Sequence, residues 1–316
     1  MKLTNEEFKK LIFGAYRFAE EEDGYIIPCQ YTEEQMAYLE KVSDFWYERT
    51  DRGNGKTIEM KTDATCISFE VKYLGGNKGE TFELEVDGIL RETHFVEEFP
   101  TEGTVCFTLD SGTKYVKIFL PCDTRISLRN FAIDGTYEVI PKKHNVLWMG
   151  DSITQGFGAF RSYHCYVNSA NRYLDYNVIN QGIGGYRYDK NVLMPMPDMH
   201  FDKIIVAFGT NQFREVEKMD VEEYYEKLVD LYPETPILCI TPVWRGNPAD
   251  EYPVFLQFAE KIKNVCRKYF NITIVDGLKL LPPVSLYYMP DLVHPNALGS
   301  ELYGQNLAKE IKRLGF

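Results

Sequence analysis

The sequence predicts an α/β protein. A doubly wound, five-stranded parallel sheet is preceded by an antiparallel β-sandwich or jelly roll, with the division at residues 141/142. Three observations carry this. Short alternating strands with turn signals fill residues 56–141. Strands and helices alternate from Asn145 onward. And 316 residues suit two domains better than one.

Taken in order, residues 1–22 read as an amphipathic helix with Phe8, Leu11, Ile12, Ala15 and Phe18 or Ala19 on one side. In Thr81–Val86, Phe82, Leu84 and Val86 share one face, and Glu83 and Glu85 the other. Ile67–Tyr73, Thr104–Leu109, Tyr115–Leu120 and Ile126–Ile133 are similar, with Asp87-Gly88, Asp110-Ser111-Gly112 and Asp134-Gly135 as turns. This spacing predicts the sandwich over residues 1–141.

In residues 142–316 the apolar runs Asn145–Met149, Val178–Asn180, Ile204–Phe208, Ile237–Ile240 and Ile272–Val275 predict the five strands. Helices are expected over His164–Leu174, Val221–Leu231, Tyr252–Tyr269 and Ala297–Leu314. Val254, Phe258, Ile262 and Cys266 recur four apart on one side of the third. Such alternation implies helices on both faces of a parallel sheet, joined by right-handed crossovers.

Composition narrows the classes. Hydrophobic residues are 44% and charged residues 26%, which excludes wholesale disorder. Lys and Arg number 35 against 47 Asp and Glu, a net charge of −12. Nucleic acid and anionic membrane are therefore not expected partners. The charge is uneven: residues 1–140 hold 16 bases and 27 acids, and residues 141–316 hold 19 and 20. Charged outer strand faces and acidic helices explain the first figure. An almost uncharged second half permits a neutral substrate. No run approaches the length of a membrane span or a signal-peptide core. Seven scattered cysteines, none in a C-x-x-C pair, suggest buried thiols in a reducing cytoplasmic setting.

In a parallel sheet the loops at the strands' carboxyl ends gather on one edge, where such folds place their sites. After the first strand comes Gly150-Asp151-Ser152-Ile153-Thr154-Gln155-Gly156. A serine there presents its hydroxyl beside a helix start, although alone it serves as readily as an N-cap. Asn180-Gln181-Gly182-Ile183-Gly184-Gly185 follows the second strand. Its glycines expose backbone N–H groups, and its spacing does not fit the G-x-G-x-x-G phosphate loop. Gly209-Thr210-Asn211 follows the third, where an amide could donate to an oxyanion or merely cap its own turn. Asp291-Leu292-Val293-His294 follows the fifth. Of five histidines, His294 alone combines a nearby preceding carboxylate with this edge. No loop alone decides, but four independent loops supplying complementary chemical parts turn the balance from structural roles to a site at this edge.

At these residues the sequence resembles the SGNH (GDSL) hydrolase superfamily over about residues 143–316. Gly150–Gly156 looks like its first block, with Ser152 the implied nucleophile. The second-block glycine maps to Gly185, with Gly184 the alternative register. Gly209–Asn211 looks like the third block, although Gln212 stands where an aspartate is usual, and Asp291–His294 matches the last. The resemblance implies a flavodoxin-like hydrolase fold and a Ser152–His294–Asp291 triad. It also implies an oxyanion hole made of the Ser152 and Gly185 N–H groups and the Asn211 amide. Some relatives work as a Ser–His dyad, which leaves Asp291 the member to test. No metal or organic cofactor is implied.

The layout is similar to carbohydrate esterase family two. Gly182–Arg187, Met194–Pro197 and Phe45–Ala64 add to that narrower match. It implies a short-chain, acetyl-type ester of a small molecule or oligosaccharide as substrate. A lipase or thioesterase acting on longer chains and a non-catalytic carbohydrate-binding protein are the competing readings. Tyr186, Tyr188, Trp244 and Tyr288 fall in loops near the site edge, where aromatic faces suit sugars but more often serve packing. Oligomeric state is not encoded in any of these features.

Overall fold

The structure, a computed structural model, describes residues 1–215, 221–247 and 251–316. The amino-terminal half holds strands β1 (Ile12–Phe13), β2 (Arg17–Glu20), β3 (Ile26–Cys29), β4 (Thr57–Thr62), β5 (Cys66–Gly76), β6 (Thr81–Val86), β7 (Ile89–Phe95), β8 (Glu102–Thr108), β9 (Lys114–Phe119), β10 (Thr124–Ile133) and β11 (Tyr137–Glu138). One antiparallel sheet runs β1-β4-β9-β6-β7, with β11 on β4. The other runs β2-β3-β10-β5-β8. Their inner faces meet in a core that includes Ile58, Phe82, Leu84 and Val116 from one sheet and Phe69, Val71, Phe107 and Leu128 from the other. Period-two alternation puts these side chains inward. Asp87 and Gly88, both at positive φ, close the β6–β7 hairpin.

The carboxy-terminal half holds β12 (Asn145–Gly150), β13 (Asn177–Gly182), β14 (Lys203–Ala207), β15 (Ile237–Ile240) and β16 (Ile272–Val275). All pair in parallel, in the order β13-β12-β14-β15-β16. That is the flavodoxin-like 2-1-3-4-5 arrangement, which reverses beside the first strand. The expected α/β class is therefore the observed one. Two apolar clusters flank the sheet. One holds Leu147, Ile204, Tyr224, Phe258 and Ile262; the other Val146, Trp148, Ile205, Tyr166 and Tyr303. Helices over Val221–Leu231 and Ala297–Leu314 occupy the expected residues, while the others are trimmed to Tyr166–Leu174 and Tyr252–Cys266. In the latter, Val254 faces solvent and Phe255 is buried, so the apolar stripe is broader than a strict four-residue repeat.

Two expectations need correction. Residues 1–22 are not one helix. A helix spans only Asn5–Lys9, closed by a Thr4/Glu7 capping box, and the chain then enters β1 and β2. Gly14 makes the break: its φ is +84°, and a Cβ there would lie 2.4 Å from the Gly55 carbonyl oxygen. Phe8, Leu11, Ile12 and Ala15 are buried as expected, but from a helix, a strand and a turn. Secondly, Glu83 and Glu85 do lie opposite Phe82 and Leu84, yet that face is not solvated. It packs on the other half. Glu83 accepts from the Arg161 guanidinium at 2.6 Å and from the Tyr163 N–H, and Phe119 meets the Tyr163 ring. Glu59 is paired with Lys142. Part of the acidity read as a charged exterior, Glu59, Glu83 and Glu85 among it, thus lies inside the molecule.

The two halves are also joined near the future site. Helices over Glu33–Val42 and Asp44–Tyr47, which no motif announced, pack beside the parallel sheet. Tyr16, Tyr31 and Leu39 belong to the same apolar cluster as Met149 and Val206. Tyr31 Oη donates to the Gln181 carbonyl at 2.8 Å, Gln181 Nε2 to the Gln30 carbonyl at 2.9 Å, and Asn54 Nδ2 to the Asn180 carbonyl at 2.9 Å.

Candidate active site

Strand β12 ends at Gly150, where a Cβ would lie 2.0 Å from Thr154 Oγ1, so no side chain fits. The chain turns at once into a single helical turn, Ser152–Gln155. Asp151 caps it, accepting from the Ile153 N–H at 3.0 Å. Burial pushes the Asp151 carboxyl up to about 7, against the opposing pull of the Ile153 N–H and of Arg245. The aspartate beside Ser152 therefore shapes the turn from within the fold. Ser152 begins the turn and lines a cleft.

His294 Nε2 lies 2.8 Å from Ser152 Oγ, across 142 residues of chain. Its Nδ1 lies 2.6 Å from Asp291 Oδ2. The other carboxylate oxygen of Asp291 accepts the N–H groups of Val293 and His294 at 2.9 and 3.1 Å. Burial raises this carboxyl, but the bonds from the imidazole and the two N–H groups outweigh it and hold it below the ordinary aspartate range. Phe157 packs edge-on against the imidazole, ring centres 4.7 Å apart. The histidine is thus held from three sides: hydroxyl, carboxylate and ring.

The glycine segment sits opposite. A Cβ on Gly182 would lie 2.4 Å from the Gln155 nitrogen, so this glycine permits close packing of β13 on the Ser152 turn. Between the two registers the structure discriminates. The Gly184 N–H is taken by Gln155 Oε1 at 2.7 Å. Gly185, at φ +71°, lines the cleft, and its N–H has no acceptor among the described residues. Asn211 reaches the same cleft and spends one amide N–H on the Tyr186 carbonyl at 2.9 Å, leaving the other. Gln212, in place of the usual aspartate, accepts the Tyr188 N–H at 2.8 Å and so ties the third loop to the second. All five predicted side chains and backbone positions, Ser152, Gly185, Asn211, Asp291 and His294, lie at one sheet edge. Four border a cavity of about 260 Å³, and Asp291 stands behind His294.

One wall of that cavity was not legible. Phe45, Arg49 and Asp123 come from the amino-terminal half. Asp123 is ion-paired with Arg52 and also receives the Gln155 side-chain amide. A continuous chain, Arg52–Asp123–Gln155–Gly184, therefore runs from the first half into the glycine loop. Gln155 fell within the Gly150–Gly156 motif; Asp123 carried no local signal. The loop aromatics turn out to be packing residues. Tyr186, Tyr188 and Tyr288 are buried, and Trp244 packs on Tyr288 at 4.9 Å. The cleft's aromatic faces are Phe45 and Phe157.

Comparison with known proteins agrees with this picture. Residues 148–302 match the GDSL-like lipase/acylhydrolase family. That half is accordingly a GDSL-like acylhydrolase domain, and the class so defined is carboxylic ester hydrolase. Among solved structures, the fold is similar to a salicylyl-acyltransferase from a tetracycline biosynthetic pathway, at 21% identity and TM-score 0.73, covering 96% of this chain and 94% of that one. A family two carbohydrate esterase from Clostridium thermocellum, in complex with cellohexaose, aligns at 17% identity and TM-score 0.67, covering 96% and 99%. Another from Cellvibrio japonicus aligns at 14% identity and TM-score 0.66, covering 99% and 97%. No curated protein matches the sequence.

Proposed function

We propose that the protein is a serine esterase that removes short acyl groups, acetyl in the first instance, from a carbohydrate or similar alcohol. The observation that carries this is the line Ser152 Oγ–His294 Nε2 and His294 Nδ1–Asp291 Oδ2, at 2.8 and 2.6 Å, on the wall of a small cleft. Ser152 Oγ attacks the ester carbonyl. His294 takes its proton and later delivers it to the departing alkoxide. Asp291 holds the imidazole in the tautomer with Nδ1 protonated and stabilises its cationic form. The N–H groups of Ser152 and Gly185 and the free amide N–H of Asn211 receive the oxyanion. Water then attacks the acyl-enzyme with His294 again as base.

The division at residues 141/142 is proposed as the boundary between accessory and catalytic domains, and the cytosol as the setting. Among the described residues, no helix is long and apolar enough to cross a membrane. The acetyl and carbohydrate assignments draw support from the small cavity and from the fold shared with family two carbohydrate esterases.

Hydrolysis of nitrophenyl esters from acetyl to palmitoyl, together with labelling by a fluorophosphonate probe, tests the proposal. Activity should peak at short chains, and Ser152→Ala should lose both labelling and on the order of 10⁴-fold or more in turnover. A maximum at long chains would instead identify a lipase or thioesterase, and an unlabelled, inactive wild type would identify a carbohydrate-binding protein.

A further inference from the structure

Arg49 lines the candidate active-site cleft without an ionic partner. Its neighbour Arg52 is paired with Asp123, and Arg125 with Asp51, but no carboxylate stands within ion-pair distance of Arg49 among the described residues. Asp123, the one acid on the same wall, is already bound by Arg52 and the Gln155 amide. Arg49 is half-buried. Burial and the adjacent Arg52 charge pull its pKa below the ordinary arginine value, and the opposing fields of Asp123 and Glu48 offset them only in part.

The guanidinium is nonetheless held in place. It stacks on the Phe45 ring, 3.5 Å from the centroid, and Nη1 donates to the Phe45 carbonyl at 2.5 Å. Of five N–H donors, the others find no protein acceptor among the described residues. The group also flanks the glycine loop. A Cβ on Gly184 would lie 3.4 Å from Arg49 Nε, and one on Gly185 would lie 3.6 Å from Phe45 Cε1. A rigid, planar cation with spare donors therefore stands beside the backbone that receives the oxyanion.

We propose that the natural ester carries a carboxylate, and that Arg49 binds it as a specificity-determining residue. The inference rests on the esterase reading of Ser152 and narrows its substrate to an anionic ester. A carboxylate fits better than a phosphate. Its plane matches the fork of one guanidinium, and its single charge balances the single unpaired cation of the wall. The carboxylate can belong to the acyl part or to the alcohol part, and both place an anion near the glycine loop.

Two matched pairs of esters separate these sources. The first is 4-acetoxybenzoate with its methyl ester, which puts the charge on the alcohol part. The second is the 4-nitrophenyl monoester of adipic acid, too long for its carboxylate to attack its own ester readily, with its methyl-capped form, which puts it on the acyl part. Wild type should show a higher kcat/KM for the charged member of one pair, and that pair names the source. In Arg49→Ala the charged-to-neutral ratio for that pair should fall on the order of 10- to 100-fold. Arg49→Lys should retain part of the preference, and Arg49→Gln serves if the alanine variant folds poorly. An equal loss on charged and neutral esters, an unshifted ratio, or a wild type without preference in both pairs overturns the inference. Those results alone leave the esterase reading intact. That reading fails separately if Ser152→Ala still cleaves the neutral esters.

Discussion

At the residue scale, Asp291 is the most informative position. A family that includes both triads and dyads leaves its role open, and here its two oxygens divide the work. One faces His294 Nδ1; the other accepts two backbone N–H groups and so fixes the loop that carries the histidine. Replacement by asparagine keeps the size but offers the imidazole a neutral partner. Asp291→Asn is expected to lower kcat on the order of 10³-fold with little change in KM. Turnover within a few-fold of wild type would show a Ser–His dyad instead. The motif residues were legible because each chemical role requires a particular side chain at a particular loop. Arg49 and Asp123 were not, because a cation or an acid in a charged, strand-rich segment has no local mark. Only the packing of the two halves brings them to the cleft.

At the scale of elements, the parallel sheet was read closely. Its strands are short apolar runs between long helices, and burial on both faces leaves a continuous apolar signature. The amino-terminal segment was misread because helical and strand patterns coincide over a few residues. Phe8, Leu11, Ile12 and Ala15 fit a helical face, but Gly14 at φ +84° fits only a turn. The contact between the Ser152 turn and β13 depends on Gly182 for a different reason, close packing. A methyl group there would meet the backbone of Thr154 and Gln155, which cannot give way as a flexible side chain can. Gly182→Ala should therefore cost about 1–3 kcal/mol or more in stability, by chemical denaturation, and lower kcat as the nucleophile turn shifts. Wild-type stability and turnover in that variant would show the contact to be slack.

At the scale of the whole molecule, the halves meet through polar groups rather than through an apolar seam alone. Strand faces that alternate apolar and acidic are ordinarily taken as half-solvated. Here Glu83 of β6 and Glu59 of β4 find counter-charges on the other half in Arg161 and Lys142, which no single-strand pattern can announce. Burial at this junction also has a pH signature. Glu80, beside the Cys122 N–H at 3.2 Å, is pushed up to about 7 by burial. A carboxyl whose pKa is raised on folding favours the native state below the ordinary glutamate value. That advantage is lost as pH climbs toward 7. Between pH 4 and 8, urea midpoints of wild type should fall, with a Glu80 share of at most about 3 kcal/mol. Glu80→Gln should make the profile shallower, leaving the slope due to Asp151 and Glu85, whose carboxyls burial also raises. Parallel profiles for the two proteins would show that Glu80 ionises normally.

The separation of Ser152 and His294 along the chain also orders events during synthesis. The Ser152 turn, the glycine loop and the whole amino-terminal wall leave the ribosome well before the histidine, 142 residues after the serine. A growing polypeptide can thus close both sandwich sheets and most of the parallel sheet while Ser152 still lacks its imidazole partner. The pairing of Ser152 with His294 forms only with the final loop, after the cleft around it has been built.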